Sequence, residues 1–219
     1  WGMPGKELEL ARSFGARIGI QVGTAEGARR AIGLGADFLI CQGVEAGGHV
    51  QSSIPLERLL ERVLPVAPTT PVVAAGGLVD AQDVARVLHL GASAAMLGTR
   101  FVATQESRAH PRYKQLLVES SETALTICFD GGWPFAQHRV LRNQALEEWE
   151  AAGCPPPGRR PGEGEAVAKG IARYEDTAPR VGMAGDFDRM CLYAGAGVGK
   201  IRDIPAAPEV VAGLVNGAS

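Results

Sequence analysis

The sequence predicts an α/β fold with a parallel sheet, and two observations lead to that prediction. From residue 15 to residue 101, short apolar runs alternate with segments of helical periodicity. The apolar runs do not alternate with polar residues, which is typical of strands covered on both faces. The repeated strand–helix unit fits part of a (β/α)8 barrel or an open doubly wound sheet, and the pattern alone leaves both open.

Four strands and three intervening helices are predicted in this first half of the chain. Thr24 and Asp80 are typical N-cap residues, and Pro55 is tolerated at a helix start. The helical segments end at Gly33-Leu34-Gly35 and at Gly91, where a glycine C-cap is expected. The middle helix carries one apolar face, formed by Leu56, Leu59, Leu60, Val63 and Leu64. The predicted strands cover residues 17–22, 36–41, 71–75 and 94–97.

Beyond Thr104 the pattern changes. Residues 111–123 and 135–152 are predicted to be helical, with a turn rich in Gly between them at 129–134. The Pro- and Gly-rich stretch 154–164 is predicted to be an ordered lid loop or a linker, and its charged residues are expected to be solvated. A closing helix is predicted over 204–214.

Composition excludes several classes of protein. The 219 residues suit one large domain or two small ones, and 46% hydrophobic residues can fill a core. Lys and Arg (22) nearly balance Asp and Glu (24), so no nucleic-acid partner is expected. No apolar run approaches the roughly 18 residues of a membrane helix, and Trp1-Gly2-Met3-Pro4 does not resemble a signal peptide. Widely spaced cysteines predict reduced thiols in a cytoplasmic protein and no metal site: Cys41, Cys128, Cys154 and Cys191.

Two glycine-containing turns suggest a phosphate site. Gly76-Gly77 and Gly98-Thr99 each follow a predicted strand, one strand–helix unit apart. Glycine lets main-chain N–H groups face an anion without an intervening Cβ, and Thr99 adds a hydroxyl donor. Neighbouring loops of this kind form the phosphate site of many β/α barrels, although a single Gly-Gly pair is more often a simple turn.

A third motif, residues 42–49, follows the strand that ends at Cys41. Gly47-Gly48 can add N–H groups to the same anion site and would hold His49 beside the ligand. A neutral imidazole there could act as a base and contribute roughly 10²–10⁴-fold to a rate. Gln42 could bond a polar ring edge or only fix the loop, and a solvated loop histidine is the alternative for His49. The other histidines, His89, His110 and His138, are expected to be structural.

Several blocks together resemble the nitronate monooxygenase family, formerly called 2-nitropropane dioxygenases. They keep the family's order and spacing over nearly the whole chain: Gln-Gly-Val-Glu-Ala-Gly-Gly-His at 42–49, Ala-Ala-Gly-Gly at 74–77, Leu-Gly-Thr-Arg-Phe at 97–101, Ala-Thr-Gln-Glu-Ser at 103–107 and Tyr-Ala-Gly-Ala-Gly-Val-Gly at 193–199. The resemblance implies a (β/α)8 TIM barrel that binds FMN. Here it covers the C-terminal half of the barrel (1–104), an added helical substrate or lid segment (105–182), and a return to the barrel with a closing helix (183–219).

The resemblance also implies roles for individual residues. His49 matches the family's catalytic base, placed over the flavin ring. The positions that match its flavin contacts are Gln42, Gly47, Gly48, Gly76, Gly77, Met96, Leu97, Gly98 and Thr99. The implied reaction is oxidation of alkyl nitronates or nitroalkanes by oxygen to a carbonyl compound and nitrite, with the redox chemistry supplied by the flavin.

The chain departs from the family in one respect. A complete barrel takes roughly 250 residues and eight strands, whereas four are predicted here. Half a barrel leaves sheet edges unpaired, which is unfavourable, so the remaining strands are expected from a second copy, another chain or an N-terminal part. The alternatives to the leading function are an FMN-dependent enoyl-acyl-carrier-protein reductase using NAD(P)H, a non-catalytic phosphate- or flavin-binding subunit, and a barrel enzyme that binds phosphate without flavin.

Overall fold

The computed structural model of the protein describes residues 6–217, so Trp1–Pro4 and the prediction made for them lie outside this range. The α-helices, in chain order, are α1 (Lys6–Ser13), α2 (Ala25–Gly33), α3 (Leu56–Val63), α4 (Ala81–His89), α5 (Thr99–Val102), α6 (Pro111–Glu119), α7 (Gln144–Ala151) and α8 (Ala207–Gly217). The strands are β1 (Gly19–Val22), β2 (Phe38–Gln42), β3 (Gly48–His49), β4 (Val72–Ala75), β5 (Ala94–Met96), β6 (Thr123–Thr126), β7 (His138–Leu141), β8 (Ala166–Ala168) and β9 (Ile171–Ala172).

The described residues form two compact units. The first contains 6–46, Val50–Leu97 and 214–217, and the second contains Gly47–His49 and Gly98–Gly213. The division of the chain into 1–104, 105–182 and 183–219 stays a prediction.

The first unit contains the parallel sheet that the sequence predicts. Its strand order is β1-β2-β4-β5, and every neighbouring pair is parallel. Because each crossover between neighbouring parallel strands passes through a helix, loops that follow the strands emerge at one edge of the sheet. This arrangement explains why the candidate residues after β2 and after β4 belong together.

Apolar burial on one face holds this sheet in place. Within the described residues the other face is only partly buried, at Ile40 and Val73 for example, so the expectation of strands covered on both faces is not met. Leu39, Cys41 and Ala74 are completely buried, as are Leu59 and Leu60 on the predicted apolar face of α3. Full burial of one leucine side chain contributes about 1.5–3 kcal/mol. The predicted elements are therefore confirmed here, within one to two residues at most ends.

The predicted N-caps of α2 and α4 are also confirmed. Thr24 Oγ1 accepts a hydrogen bond from Gly27 N at 3.0 Å. Asp80 forms a capping box with Asp83, in which each side chain accepts from the other residue's main-chain amide. Such caps satisfy amides that the first helical turn leaves without partners.

The second unit contains an antiparallel sheet of order β3-β7-β6 and the hairpin β8–β9. The prediction of one helix over 135–152 is wrong in its first part, because 138–141 form the central strand β7. Val140 and Leu141 are buried there, and the strand gains partners on both sides. Pairing between strands that are distant in sequence overrides the local helical pattern here. The second part of the predicted helix is confirmed as α7, which is capped by Asn143.

The stretch 154–164 is more closely bound to the second unit than its composition suggested. Arg160 is buried, and its Nη2 lies 2.7 Å from Asp130 Oδ1. Arg160 Nη1 also donates to Cys128 O at 3.2 Å. Of the two alternatives, an ordered loop therefore describes this stretch. The expectation that its charged side chains are solvated is wrong for Arg160 but right for Arg159, which is exposed.

Helix length and the state of the cysteines bear on two expectations from composition. None of the helices between residues 6 and 217 is long and apolar enough to cross a membrane. All four cysteines are free thiols, and only Cys154 is exposed. Burial raises the pKa of Cys41 and of Cys128 to about 12, which keeps both protonated at neutral pH.

Candidate functional site

The loop after β2 is fixed by two of its own side chains. Gln42 is buried, and its Oε1 accepts from Gln51 N at 3.0 Å. Glu45 Oε2 accepts from Leu56 N at 3.0 Å, at the start of α3. The role of Gln42 in tying down the loop, which the sequence left open, is therefore present in the structure.

The Gly76-Gly77 turn after β4 lies against that loop. The φ angles of Gly76 and Gly77 are +121° and +71°, a region that side chains other than glycine rarely adopt. A Cβ on Gly76 would lie 3.1 Å from Ala46 N, and one on Gly77 would lie 2.9 Å from Glu45 Cβ. Both glycines are thus needed for the close approach of the two loops, whatever they bind.

Carboxylates occupy the beginning of α4, next to this turn. Asp83 N donates to Asp80 Oδ1 at 2.8 Å, and Val79 N donates to Asp83 Oδ2 at 2.9 Å. These amides are already satisfied, and the two carboxylates bring negative charge. The amides of Val79 and Asp83 are therefore not free for a phosphate, whereas within the described residues the main chain of Gly76 and Gly77 carries no such side-chain cap.

The residues after β5 differ in exposure. Met96 ends the strand and is 44% exposed, whereas Leu97 packs partly against the core of the first unit. Gly98 has a φ of −102°, and no heavy atom of the described chain lies within 4 Å of the position a Cβ would take. Gly98 therefore has open space beside its main chain, which is the condition for close approach by a ligand.

Thr99 and Gly47 meet the same stretch of the second unit. Thr99 Oγ1 accepts from Gly195 N at 2.9 Å. A Cβ on Gly47 would lie 2.6 Å from both Ala194 C and Gly195 N. The glycine-rich block at 193–199 thus permits close approach of main chains, and it contacts two of the candidate residues.

His49 lies in β3, directly after Gly48, whose φ is +79°. The strand pairs with β7 so that His49 is opposite His138. The centroid of the His49 ring lies 5.0 Å from that of Trp133, 5.7 Å from His138 and 5.8 Å from Tyr193. The alternative of a solvated loop histidine is therefore wrong, because the ring is half-buried among aromatic groups.

Burial lowers the pKa of His49, and the negative charge of Asp176 acts against this. The uncharged imidazole, which is the form that can accept a proton, is thereby favoured at neutral pH. This protonation state suits a general base.

The tautomer of the neighbouring His138 is set by two main-chain contacts. His138 Nδ1 lies 2.9 Å from Ala136 O, and Nε2 accepts from Phe129 N at 3.1 Å. Since Nε2 accepts, the ring proton is on Nδ1, where the carbonyl can receive it. Burial lowers the pKa of His138 to about 4, so this ring is neutral beside His49.

Sequence reasoning missed most of the groups around His49. It treated His138 as structural and assigned no role to Trp133, Tyr193 or Asp176. The two signals available in the sequence were the Gly-Gly-Trp turn at 129–134 and the block that begins at Tyr193. Neither motif indicates that it lies next to His49. Of the other histidines, His110 is structural as expected, because its Nδ1 accepts from Arg112 N at the start of α6.

The main chains of the glycine turns fit a flavin phosphate in their local geometry. Gly98 and Gly48 both have open space where a Cβ would lie, and glycine turns follow β2, β4 and β5. In the second unit, an uncharged imidazole stands on the strand that begins at the glycine pair. The open glycine main chain can contact an anion through its amides. The imidazole can by itself remove a proton from a weak carbon acid.

Known proteins are similar to this chain in sequence and in fold. The sequence profile described as "Nitronate monooxygenase" matches residues 3–217. The nitronate monooxygenase of Pseudomonas aeruginosa is 33% identical over 223 residues, which cover 97% of this chain and 60% of that protein. Among solved structures, FabK from Thermotoga maritima has a TM-score of 0.82 at 27% identity, covering 100% of this chain and 66% of that one.

A nitroalkane oxidase from Streptomyces ansochromogenes has a TM-score of 0.75 at 34% identity, with 99% of this chain and 62% of that one covered. The chain thus spans about three fifths of the length of the relatives that it matches. The family profile covers the β/α half, the His49 strand and the glycine-rich block alike. With nearly every residue matched, the chain belongs to the nitronate monooxygenase family.

Proposed function

We propose that this chain forms the larger part of an FMN-dependent nitronate monooxygenase, which oxidises alkyl nitronates or nitroalkanes with oxygen to a carbonyl compound and nitrite. The observation that carries the proposal is His49, an uncharged imidazole among three aromatic rings on a strand that begins with Gly48. The similarity to the Pseudomonas aeruginosa nitronate monooxygenase supports it.

The architecture proposed for the whole protein is a (β/α)8 TIM barrel, of which β1, β2, β4 and β5 are the C-terminal half. Both β1 and β5 stand at the ends of the strand order. Unpaired parallel edges are unfavourable, and the chain covers 60% of its Pseudomonas aeruginosa relative. The remaining strands would come from a preceding part of the protein, a second copy or another chain. Residues 105–182 would serve as the substrate or lid segment.

FMN is the proposed cofactor, and the family resemblance assigns its contacts. Gly76, Gly77, Gly98 and Thr99 would bind the phosphate through main-chain amides and one hydroxyl. The residues proposed for the rest of the flavin are Gln42, Gly47, Gly48, Met96 and Leu97. No metal is proposed, and a cytoplasmic location stays a prediction.

In the proposed mechanism, the protein orients the substrate and handles one proton. His49 accepts the proton from the carbon next to the nitro group, so that the C–H bond breaks and its electron pair stays on the nitronate. When bound, the flavin supplies the redox chemistry that couples nitronate oxidation to oxygen reduction. The Trp133 and Tyr193 rings limit the water around His49, which keeps the imidazole uncharged before each turnover.

The test begins with the absorbance spectrum of the purified chain with and without added FMN. Flavin absorbance that stays with the protein after desalting is expected. The flavin should then lose its absorbance on anaerobic addition of ethyl nitronate and regain it on admission of air, with nitrite formed. A protein that stays colourless with added FMN would contradict the proposal and favour a non-catalytic subunit or a barrel enzyme without flavin.

The same anaerobic experiment separates the enoyl reductase alternative. Rapid loss of flavin absorbance with NADPH alone would favour the reductase, whereas loss only with the nitronate favours the monooxygenase. Because the chain spans about three fifths of its relatives' length, the experiment is repeated with any longer form of the protein that contains residues 1–219.

A further inference from the structure

Of the three rings around His49, that of Trp133 is the most open to solvent. His138 is completely buried and Tyr193 is half-buried, whereas Trp133 is 39% exposed. The indole and imidazole centroids lie 5.0 Å apart, and the two ring planes are inclined by 39°. Trp133 therefore presents an exposed apolar surface directly beside the proposed base.

The turn that carries Trp133 is anchored by a buried carboxylate of the same segment. Trp133 N donates to Asp130 O at 3.1 Å, and Phe135 N donates to Asp130 Oδ2 at 2.8 Å. Asp130 Oδ1 lies 2.7 Å from Arg160 Nη2, and both side chains are buried. Because the turn is already fixed, little conformational entropy is lost when a ligand contacts it.

Two further features hold the turn in an unusual conformation. Gly131 N donates to Tyr174 O at 3.0 Å, which joins the turn to a segment distant in sequence. Phe135 has a φ of +62° and is 69% exposed. A bulky residue rarely takes this φ, and such strain persists where the surrounding structure fixes it, often at functional sites. The hydrogen bonds of Asp130 and Gly131 fix it here, since the Phe135 ring gains little burial.

An exposed indole beside a base has a direct chemical use. A substrate whose reacting carbon approaches His49 carries its remaining carbon atoms past the neighbouring Trp133 ring. A flat apolar ring binds an alkyl chain through the hydrophobic effect and dispersion. The residues before it in the turn, Gly131 and Gly132, have no side chains with which to do so.

We propose that Trp133 is a specificity-determining residue that binds the alkyl chain of the substrate while the reacting carbon lies at His49. This inference rests on the proposed function and names its substrate class, nitronates and nitroalkanes with a chain of several carbons. A longer chain covers more of the indole and removes more apolar surface from water. Each added methylene should therefore tighten binding by about two- to fourfold until the ring is covered.

The first test is an NMR titration of the indole N–H signals with the nitronate of 1-nitrobutane, carried out with and without FMN. The Trp133 signal, identified as the one lost in Trp133→Phe, should shift, and ethyl nitronate should shift it less at equal concentration. Trp149 is the internal control, because it is buried and its Nε1 donates to Pro155 O at 2.9 Å. A Trp133 signal that moves no more than that of Trp149 in either state overturns the proposal.

The second test compares steady-state kinetics of the flavin-loaded protein on the nitronates of nitroethane, 1-nitrobutane and 1-nitrohexane. These substrates are already deprotonated, so the effect of chain length is measured apart from proton removal by His49. KM should fall by about two- to fourfold per methylene over the first few carbons while kcat changes little, as expected for uniform binding. Trp133→Ala should remove most of this dependence, and Trp133→Phe, which keeps an aromatic ring, should retain most of it.

Phe135→Ala is the matched control, since it removes an exposed aromatic ring from the same turn and leaves the main-chain bond to Asp130 in place. Its dependence on chain length should equal the parent's. An unchanged dependence in Trp133→Ala, with folding verified by circular dichroism, or an equal loss in Phe135→Ala would overturn the role given to the indole. A protein without flavin would contradict the proposed function, and the NMR titration would still decide whether Trp133 binds the chain.

Discussion

His49 and His138 are directly opposite each other in the antiparallel pairing of β3 and β7, and their rings meet edge to face at 5.7 Å. One ring is half-buried, and the other is completely buried with both nitrogens engaged by the main chain. Since His138 remains neutral, it places no positive charge beside His49 that would oppose proton uptake. The pair therefore combines one imidazole that can take a proton with one that is fixed in a single tautomer.

Replacing His49 by asparagine should separate proton removal from the later chemistry. His49→Asn is expected to retain flavin and to lower kcat/KM for nitroethane by roughly 10²–10⁴-fold, because the base is lost. Ethyl nitronate is already deprotonated, so its oxidation should be affected much less. Steady-state oxygen consumption with both substrates measures this, and an equal loss on the two would count against a base role.

Gly98 offers a cleaner test of the phosphate site than Gly77. At Gly77 any side chain is strained by the positive φ and by Glu45, whereas at Gly98 the described chain leaves open space. Gly98→Ala should fold normally but weaken FMN binding about tenfold, or about 1.4 kcal/mol, because the methyl group stands where the phosphate approaches. Equilibrium dialysis or fluorescence titration with FMN gives the affinity.

Gly33→Ala is the matched control, since a Cβ there also meets open space but lies on α2, which carries none of the proposed contacts. Its FMN affinity should equal the parent's. If Gly98→Ala also binds FMN with the parent's affinity, Gly98 is not part of the phosphate site.

His138 predicts a pH dependence of stability. Its folded-state pKa of about 4 lies below the ordinary 6.5, so the unfolded chain takes up a proton that the folded chain refuses between these pH values. The free energy of unfolding should therefore fall as pH drops from about 6.5 to about 4, with His138 contributing at most about 3 kcal/mol of the change. Urea unfolding at several pH values measures it.

His138→Gln should flatten that part of the profile, while His89→Gln, at an exposed position on α4, should leave it unchanged. A profile for His138→Gln as steep as the parent's would show that other groups dominate the acid sensitivity.

The buried ion pair of Arg160 with Asp130 should stabilise the stretch 154–164. Arg160→Met leaves a carboxylate buried without its partner, and such changes cost about 3–5 kcal/mol. Arg159→Met changes the neighbouring exposed side chain and should lie within about 0.5 kcal/mol of the parent. Urea unfolding compares the two variants, and similar stabilities for both would mean that the stretch is solvated as its composition suggests.

Much of the parallel half could be predicted from the sequence by itself. Apolar runs such as that around Leu39 and cap residues such as Thr24 and Asp80 report on neighbours within a few positions, and the strands and helices built on them were found. The candidate turns at Gly76-Gly77 and Gly98-Thr99 were predicted for the same reason, since each follows its own strand. Local pattern determines these features because their contacts are local or repeat with a regular period.

The surroundings of His49 depend on contacts between distant segments, which could not be predicted. β7 was mistaken for helix because its strand character comes from β3 and β6, which lie far away in sequence. Trp133, Tyr193 and Asp176 come from three distant segments, and burial of Arg160 depends on Asp130, thirty positions earlier. Pairing, burial and charge across such separations leave no periodic trace in the chain, so they are fixed only when the segments pack together.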